Sequence, residues 1–340
     1  MTQSQETKVV IPRAATDPEK AHKIPATYRP FVMPRVVEPG QGTPVVSVKP
    51  VVLAAPGRGG DVHLRVSAPS TGSELPVILF SHGNGSSLEG YGPLTDFWAA
   101  HGFVVVQPTH LDSRMVSLPP DDPRIPDIWR FRIEDLIRIL DHLDLVEAAV
   151  PGLAGRLDRS RIAVAGHSFG GHSAASLLGL RTLDSDGRPG ANLSDSRVKA
   201  GVLLATAGTG GADLTPFAAE HFPFMNPSFD EMTTPSFVIA GDHDDLPVTV
   251  RGPDWCTDPY FLSPGAESLL TLFGAEHLLG GISGYEVAET TDENPARVAL
   301  IQQLTWAYLR HALGVEDDSW QAAQKALAAE PNPLGKIEFK

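Results

Sequence analysis

A serine, a cluster of aspartates and a histidine, far apart in the chain, are the residues whose types can combine to do covalent chemistry. Ser168 lies in Gly166-His167-Ser168-Phe169-Gly170-Gly171, after the apolar run Arg161 to Ala165 and before the small-residue segment Ser173 to Leu178. Strand, sharp turn and helix in that order hold a serine in a strained backbone conformation at the sheet edge. The flanking glycines leave room for neighbouring backbone. A hydroxyl near neutral pH is a weak nucleophile and needs a base. His277 follows the strand-like run Ser268 to Phe273 and can take the serine proton, then return it to a leaving group. Asp244 follows the run Ser236 to Ala240 within Gly241-Asp242-His243-Asp244-Asp245. Behind the histidine it would hold the productive tautomer and stabilise the imidazolium, with Asp245 the alternative one residue on. The same cluster makes a poor metal site, because consecutive residues cannot all converge on one ion. No metal is expected.

Such a serine also needs donors for the oxyanion that forms when it attacks a carbonyl. Leu75 to Phe80 reads as a buried strand that runs into Ser81-His82-Gly83-Asn84-Gly85, a loop whose glycines let backbone N–H groups turn toward a ligand oxygen. The backbone N–H groups of Phe169 and Asn84 are therefore the expected oxyanion donors. His82, Gly83, Gly85 and His167 are expected around the substrate, together with Phe217 and Phe224 from an aromatic segment further on.

These loops require strands to carry them. Residues 1–44 hold seven prolines, at 12, 18, 25, 30, 34, 39 and 44, and read as an extended arm in which Tyr28 to Met33 forms an apolar docking patch. Val45–Ala55 and Val62–Val66 read as a hairpin. Tyr91–His101 has helical spacing, Phe103–Val106 is a buried strand, and 109–127 is an irregular loop. Ile128–Val150 reads as one long helix closed by Pro151-Gly152, and Lys199–Ala205 as a strand. The glycine- and proline-broken aromatic segment 206–234 reads as a cap, Asn294–Leu313 as the last helix, and 316–340 as a tail. Strands alternate with helices from residue 75 onward. The expected fold is therefore α/β over residues 45–315, with a mostly parallel, doubly wound sheet, helices on both faces, a cap insert, and the ligand at the carboxyl ends of the strands.

Composition narrows the partners. With 41 acidic against 27 basic residues the net charge is −14, which disfavours nucleic acid and anionic membrane surfaces. No segment has the ~18 uninterrupted apolar residues of a membrane span, and the first twenty residues lack an apolar signal core. The single cysteine, Cys256, cannot form an internal disulfide, so a reducing, cytoplasmic setting is expected.

Three stretches resemble a known group: Leu75 to Gly83, Ala100-His101-Gly102-Phe103-Val104-Val105-Val106-Gln107-Pro108, and Gly166 to Gly171. They are similar to the α/β-hydrolase branch that holds chlorophyllases, platelet-activating-factor acetylhydrolase-like enzymes and polyester-cleaving cutinases, over about residues 70 to 310. The resemblance implies the α/β-hydrolase fold, no cofactor, and hydrolysis of a carboxylic ester through an acyl-serine intermediate carried by Ser168, Asp244 and His277. A small to medium apolar ester is the expected small-molecule substrate, aryl and dialkyl esters included. An amidase or peptidase, a thioesterase, and a catalytically silent hydrolase-fold binder are the alternatives.

Overall fold

A computed structural model describes residues 39–286, 290–315 and 318–340. The expected arm therefore lies outside the described residues as far as position 38, and its docking patch with it. The chain enters the sheet through β1 (Val45–Leu53) and β2 (Val62–Pro69), paired antiparallel as the expected hairpin. The ladder shifts register between Val48 and Val51, at Pro50, which has no N–H to offer it. Then come β3 (Leu75–Ser81), β4 (Val104–Thr109), β5 (Leu157–His167), the two-residue β6 (Arg181–Thr182), β7 (Val198–Leu204), the two-residue β8 (Pro227–Ser228), β9 (Ser236–Gly241), β10 (Ala266–Leu272) and β11 (Gly335–Phe339).

Nine of these strands form one sheet in the order β1-β2-β4-β3-β5-β7-β9-β10-β11, and β6 pairs with β8 outside it. From β4 to β10 the pairings are parallel, while at the edges β1 with β2, β2 with β4, and β10 with β11 pair antiparallel. After β4 the chain crosses back over β3 to lay down β5, so strand order reverses between β3 and β5. A crevice opens beyond the carboxyl ends of strands at such a switch point. Ser81 of β3 is in register with Gly166 of β5, which sets the loop after β3 beside the turn carrying Ser168.

Side-chain alternation along the strands divides the core in two. Val77 and Leu79 face one side with Val104, Val106, Ile162 and Val164, packing on α2 (Ile128–Asp141), α3 (Leu143–Ala149) and α4 (Phe169–Leu178). Ile78 and Phe80 face the other with Val105, Ala163 and Ala165, packing on α1 (Gly92–Ala100), α7 (Pro295–Ala312) and α8 (Ser319–Ala329). Two short helices, α5 (Pro216–His221) and α6 (Asp258–Leu262), lie between these in sequence.

Three expectations change. The helix expected over Ile128–Val150 is two helices broken at His142, whose ring bonds back to the carbonyl of Arg138 at 2.8 Å. The expected tail over 316–340 contains, among its described residues, a helix and a strand. Trp320, Ala323 and Leu327 of α8 enter the core, and β11 extends the sheet by pairing antiparallel with β10. The segment 206–234 does not form a separate cap layer: Leu214, Ala218, Phe222 and Met225 pack with Trp255 and Cys256, while Phe229 and Met232 join the main core.

Candidate active site

β5 passes straight into α4 with only Ser168 between them, and that economy strains the backbone. Ser168 has φ 55° and ψ −120°, a region that costs a side-chain-bearing residue roughly 1–3 kcal/mol and persists only where its surroundings enforce it. They do so by closeness. A Cβ on Gly166 would lie 2.1 Å from the carbonyl oxygen of Gly170, and one on Gly170 would lie 1.9 Å from that of Ser81. The Ser168 N–H donates to Leu204 at 2.9 Å, and its carbonyl accepts from Gly171 at 2.8 Å, so the turn is tied to β7 and to its own helix. The result presents the hydroxyl at the switch point.

His277 reaches that hydroxyl from the loop after β10. Its Nε2 lies 2.9 Å from Ser168 Oγ, and its Nδ1 lies 3.1 and 3.0 Å from the two carboxylate oxygens of Asp244, in the loop after β9. Asp244 is buried, whereas Asp245 is exposed and Asp242 instead accepts the Gly274 N–H at 2.6 Å. The Asp244 Oδ2 also takes the thiol of Cys256, with sulfur and oxygen 3.5 Å apart. The loop bearing His277 is clamped by Asp292, whose Oδ2 accepts the N–H groups of Glu276 at 3.0 Å and Gly280 at 2.9 Å.

The loop after β3 brings its glycines to the same place. Gly83 donates its N–H to the hydroxyl of Tyr91 at 3.0 Å, and Gly85, at φ +74°, donates to Asp112 Oδ2 at 3.1 Å. Between them stands Asn84. The N–H of Phe169, at the first position of α4, has no carbonyl within the helix to take it. Gly83, Asn84, Gly85, Tyr91, Arg114, Met115, His167, Ser168, His277 and Leu278 line a cavity of about 580 Å³ together with Ser86 and Ser87. Tyr91 also links this loop to His167: its hydroxyl and the ring Nδ1 are 2.8 Å apart, and the ring Nε2 lies 2.8 Å from the carbonyl of His277. Since a carbonyl can only accept, Nε2 carries the proton and Nδ1 accepts from the tyrosine.

Three residues expected near the substrate are elsewhere. His82 is buried beneath the loop, donating Nδ1–H to the Gly83 carbonyl at 2.7 Å and accepting the His110 N–H on Nε2 at 3.1 Å. Phe217 is 59% exposed and stacks on His221, because the first turn of α5 turns it to solvent. Phe224 stacks on Phe169 with ring centroids 4.8 Å apart, but it lines a second groove of about 490 Å³ with Trp129, apart from Ser168 and His277. Of the remaining residues, Gly83, Asn84, Gly85 and His167 line the same cavity as Ser168, and Phe169 follows Ser168 in the chain.

Sequence reasoning missed the polar layer beneath. Arg58 bonds Asp135 with Nε at 2.6 Å and Nη2 at 3.0 Å, and His110 joins Asp135 through Nδ1 at 2.9 Å and Ser81 Oγ through Nε2 at 3.0 Å. Arg132 and Asp112 form a second pair. Burial first, and then the charge of Arg132, pushes His82 down to about 4 and holds His110 well below its usual range, so both rings are neutral. Burial is the strongest single influence on Asp112 and works to raise it, but the charge of Arg132, the hydrogen bonds from Gly85 and Arg132 and the other groups beside it together hold the carboxyl below its usual value. Among the described residues no three His, Cys, Asp or Glu side chains converge where a metal could bind, and no helix is long and apolar enough to cross a membrane.

A mostly parallel sheet with helices on both faces, a serine on the strand-to-helix turn at its switch point, and a histidine and an acid from later strand ends make up the arrangement of the α/β-hydrolase fold. Comparison with known proteins agrees. The sequence profile of the chlorophyllase family matches residues 55–188, a stretch that holds the Asn84 loop and Ser168 but stops short of Asp244 and His277. Platelet-activating factor acetylhydrolase from Canis lupus familiaris is 25% identical over 296 residues, covering 73% of this chain and 59% of the relative. The protein of that name from Bos taurus is 25% identical over 306 residues, covering 76% and 60%. Chlorophyllase type 0 from Chenopodium album is 31% identical over 129 residues, covering 36% and 34%. The chain thus spans at most about 60% of the length of these relatives. Its fold is the α/β-hydrolase fold, and the proteins it is similar to share the names chlorophyllase and acetylhydrolase.

Proposed function

We propose that the protein hydrolyses a carboxylic ester through an acyl-serine intermediate on Ser168. The observation that carries this reading is the unbroken contact from Ser168 Oγ to His277 Nε2 at 2.9 Å and from His277 Nδ1 to Asp244. As Ser168 Oγ bonds to the ester carbonyl carbon, its proton passes to His277, and the ring becomes an imidazolium opposite the Asp244 carboxylate. The carbonyl oxygen takes the negative charge and is held by the N–H groups of Phe169 and Asn84. Collapse breaks the bond to the alcohol oxygen, which leaves with the proton from His277. Water then attacks the acyl carbon with His277 again as base, releasing the acid and restoring the Ser168 hydroxyl.

A cavity of about 580 Å³ whose lining includes Gly83, Gly85, Met115 and Leu278 supports a small to medium apolar ester. The names of the relatives concern an acetyl group and chlorophyll, and both support an ester substrate. Hydrolysis of p-nitrophenyl butyrate by the parent and by Ser168→Ala tests the reading. The parent is expected to turn over and the variant to fall by at least about 10³. Equal rates would end it.

A further inference from the structure

Arg132 is wholly buried, yet it lies on the inner face of α2 among the apolar side chains of Ile133, Leu136 and Ile139. Every nitrogen of its guanidinium is engaged. Nη1 donates to both oxygens of Asp112, at 2.6 and 2.7 Å. Nη2 donates to the carbonyl of His82 and, at 3.3 Å, to Ser81 Oγ. Nε donates to Ser173 Oγ at 3.1 Å, and Ser173 in turn donates to the carbonyl of Phe169 at 3.1 Å. The guanidinium carbon lies 4.4 Å from the centre of the Phe169 ring. Asp112 completes the pattern by accepting the Gly85 N–H.

The contacts converge on two residues. His82 and Gly85 bracket Asn84, one held by Arg132 directly and the other through Asp112. Phe169 is held by its ring and by its carbonyl. A buried ion pair is a poor device for stability, since desolvation offsets most of its attraction. It is a good device for fixing geometry, because a planar fork with five directed donors cannot shift without losing several bonds at once.

We propose that the Arg132–Asp112 pair is a positioning device that sets the distance between the N–H groups of Asn84 and Phe169, and so governs stabilisation of the oxyanion. The inference rests on the ester-hydrolase reading given above. It follows that disturbing the pair lowers the rate of the acyl-transfer step and leaves substrate binding almost unchanged, because neither residue meets the substrate. Loss of a single oxyanion donor lowers turnover by about 10²–10³, and misplacing one lowers it by a part of that.

The test uses the full chain with three substitutions. Arg132→Lys keeps the charge and loses the fork, Asp112→Asn keeps an acceptor for Gly85 and loses the charge, and Ser173→Ala removes the hydroxyl that joins Arg132 Nε to the Phe169 carbonyl while leaving the charge pair in place. Active sites are titrated with a small fluorophosphonate so that kcat refers to folded, competent enzyme. Each variant is then assayed on p-nitrophenyl butyrate and on its thionoester, whose sulfur accepts hydrogen bonds poorly and draws little from the oxyanion donors. The expected result is a kcat per active site lower by about 10- to 100-fold for Arg132→Lys and Asp112→Asn, with KM within about threefold. The ester-to-thionoester rate ratio falls in parallel, and Ser173→Ala shifts the ratio in the same direction by a smaller amount. Should the two charge-pair variants not fold, Ser173→Ala decides by its ratio alone. An unchanged ratio in the folded variants overturns the proposal, since a merely structural role lowers the number of active sites and not their preference for oxygen over sulfur. A parent enzyme that turns over neither substrate and takes no label overturns instead the ester-hydrolase reading.

Discussion

His167 donates its Nε2–H to the main-chain carbonyl of His277 at 2.8 Å, so the residue that precedes the serine holds the backbone of the histidine facing that serine. The other ring nitrogen accepts from Tyr91, whose oxygen accepts the N–H of Gly83. One hydrogen-bonded chain therefore joins the loops after β3, β5 and β10. Tyr91→Phe removes the hydroxyl at its centre and leaves the Gly83 N–H and His167 Nδ1 buried without a partner. Each unsatisfied group costs about 1–3 kcal/mol. Urea unfolding is expected to show a loss of about 2–4 kcal/mol, with kcat on an ester substrate down about tenfold as the loops lose their mutual register. A variant with parent stability and parent kcat would show that the chain carries no strain or alignment.

Asp244 and Asp245 differ by one position and by everything that matters to a tautomer. Asp244 is buried against His277 Nδ1, and Asp245 points to solvent. Asp244→Asn is expected to lower kcat by roughly 10³–10⁴, because the amide stabilises the wrong tautomer and no longer balances the imidazolium. Asp245→Asn is expected to stay within about threefold of the parent, as surface substitutions generally do. Steady-state kinetics on the two variants checks both, and the reverse ranking would move the acid to position 245.

The thiol of Cys256 is buried against Asp244, and burial, followed by the charge of that carboxylate, pushes its ionisation well above the ordinary range. Because the thiolate is the reactive form, the native protein is expected to be inert to a disulfide reagent such as dithionitrobenzoate. One equivalent should react once the chain is unfolded in guanidinium, as the sequence holds one cysteine. Rapid reaction of the native protein at neutral pH would contradict the packing around Asp244.

Among the described residues four buried histidines, His82, His110, His167 and His172, make the fold sensitive to acid. Burial, reinforced by the charge of Arg132 at His82 and His172 and by that of His277 at His167, pushes these three to about 4, 4 and 3 in the folded state. The unfolded chain protonates each near 6.5. Between those values the unfolded state binds more protons, so stability is full above about pH 6.5 and declines as pH falls toward 4. Each such histidine accounts for a loss on the order of 3 kcal/mol when the change is complete. His172 isolates the effect. It is ringed by Trp129, Phe169 and Phe224, and its nitrogens lie near the Phe224 backbone without hydrogen-bond geometry. His172→Phe fills the same space without a titrating group. Its Tm is expected to match or exceed the parent at pH 7.5 and to fall less steeply toward pH 4.5. An equally steep fall would remove His172 from the account.

Much of this site can be read in the residues because its chemistry is local. Ser168 announces itself through Gly166, Gly170 and the apolar run before them, and Asp244 and His277 each follow a run that could only be a strand. The supporting layer is hidden for a physical reason. Arg132 and Asp135 lie three apart on α2, where the pattern of Ile133, Leu136 and Ile139 makes them look like a solvent face, and only the folded sheet shows that they point inward. Tyr91 reads as a helix start, and nothing in its neighbours tells of Gly83 or His167. Phe217 and Phe224 drew notice by composition, but aromatic clusters mostly pack on one another, as Phe217 does on His221. The last 25 residues did carry their signal, Trp320, Ala323 and Leu327 at helical spacing and Ile337 and Phe339 in alternation. Both runs are short, and pairing with β10 gives the second its meaning.

The most direct measurement is covalent. The parent protein and Asp244→Asn are treated with a fluorophosphonate, digested and mapped by mass spectrometry. The parent is expected to gain one phosphonyl group, on the peptide bearing Ser168, and Asp244→Asn is expected to label at least about 10²-fold more slowly. A parent that takes no label at Ser168, or a label at another residue that abolishes activity while Ser168 stays free, would contradict the account at its centre.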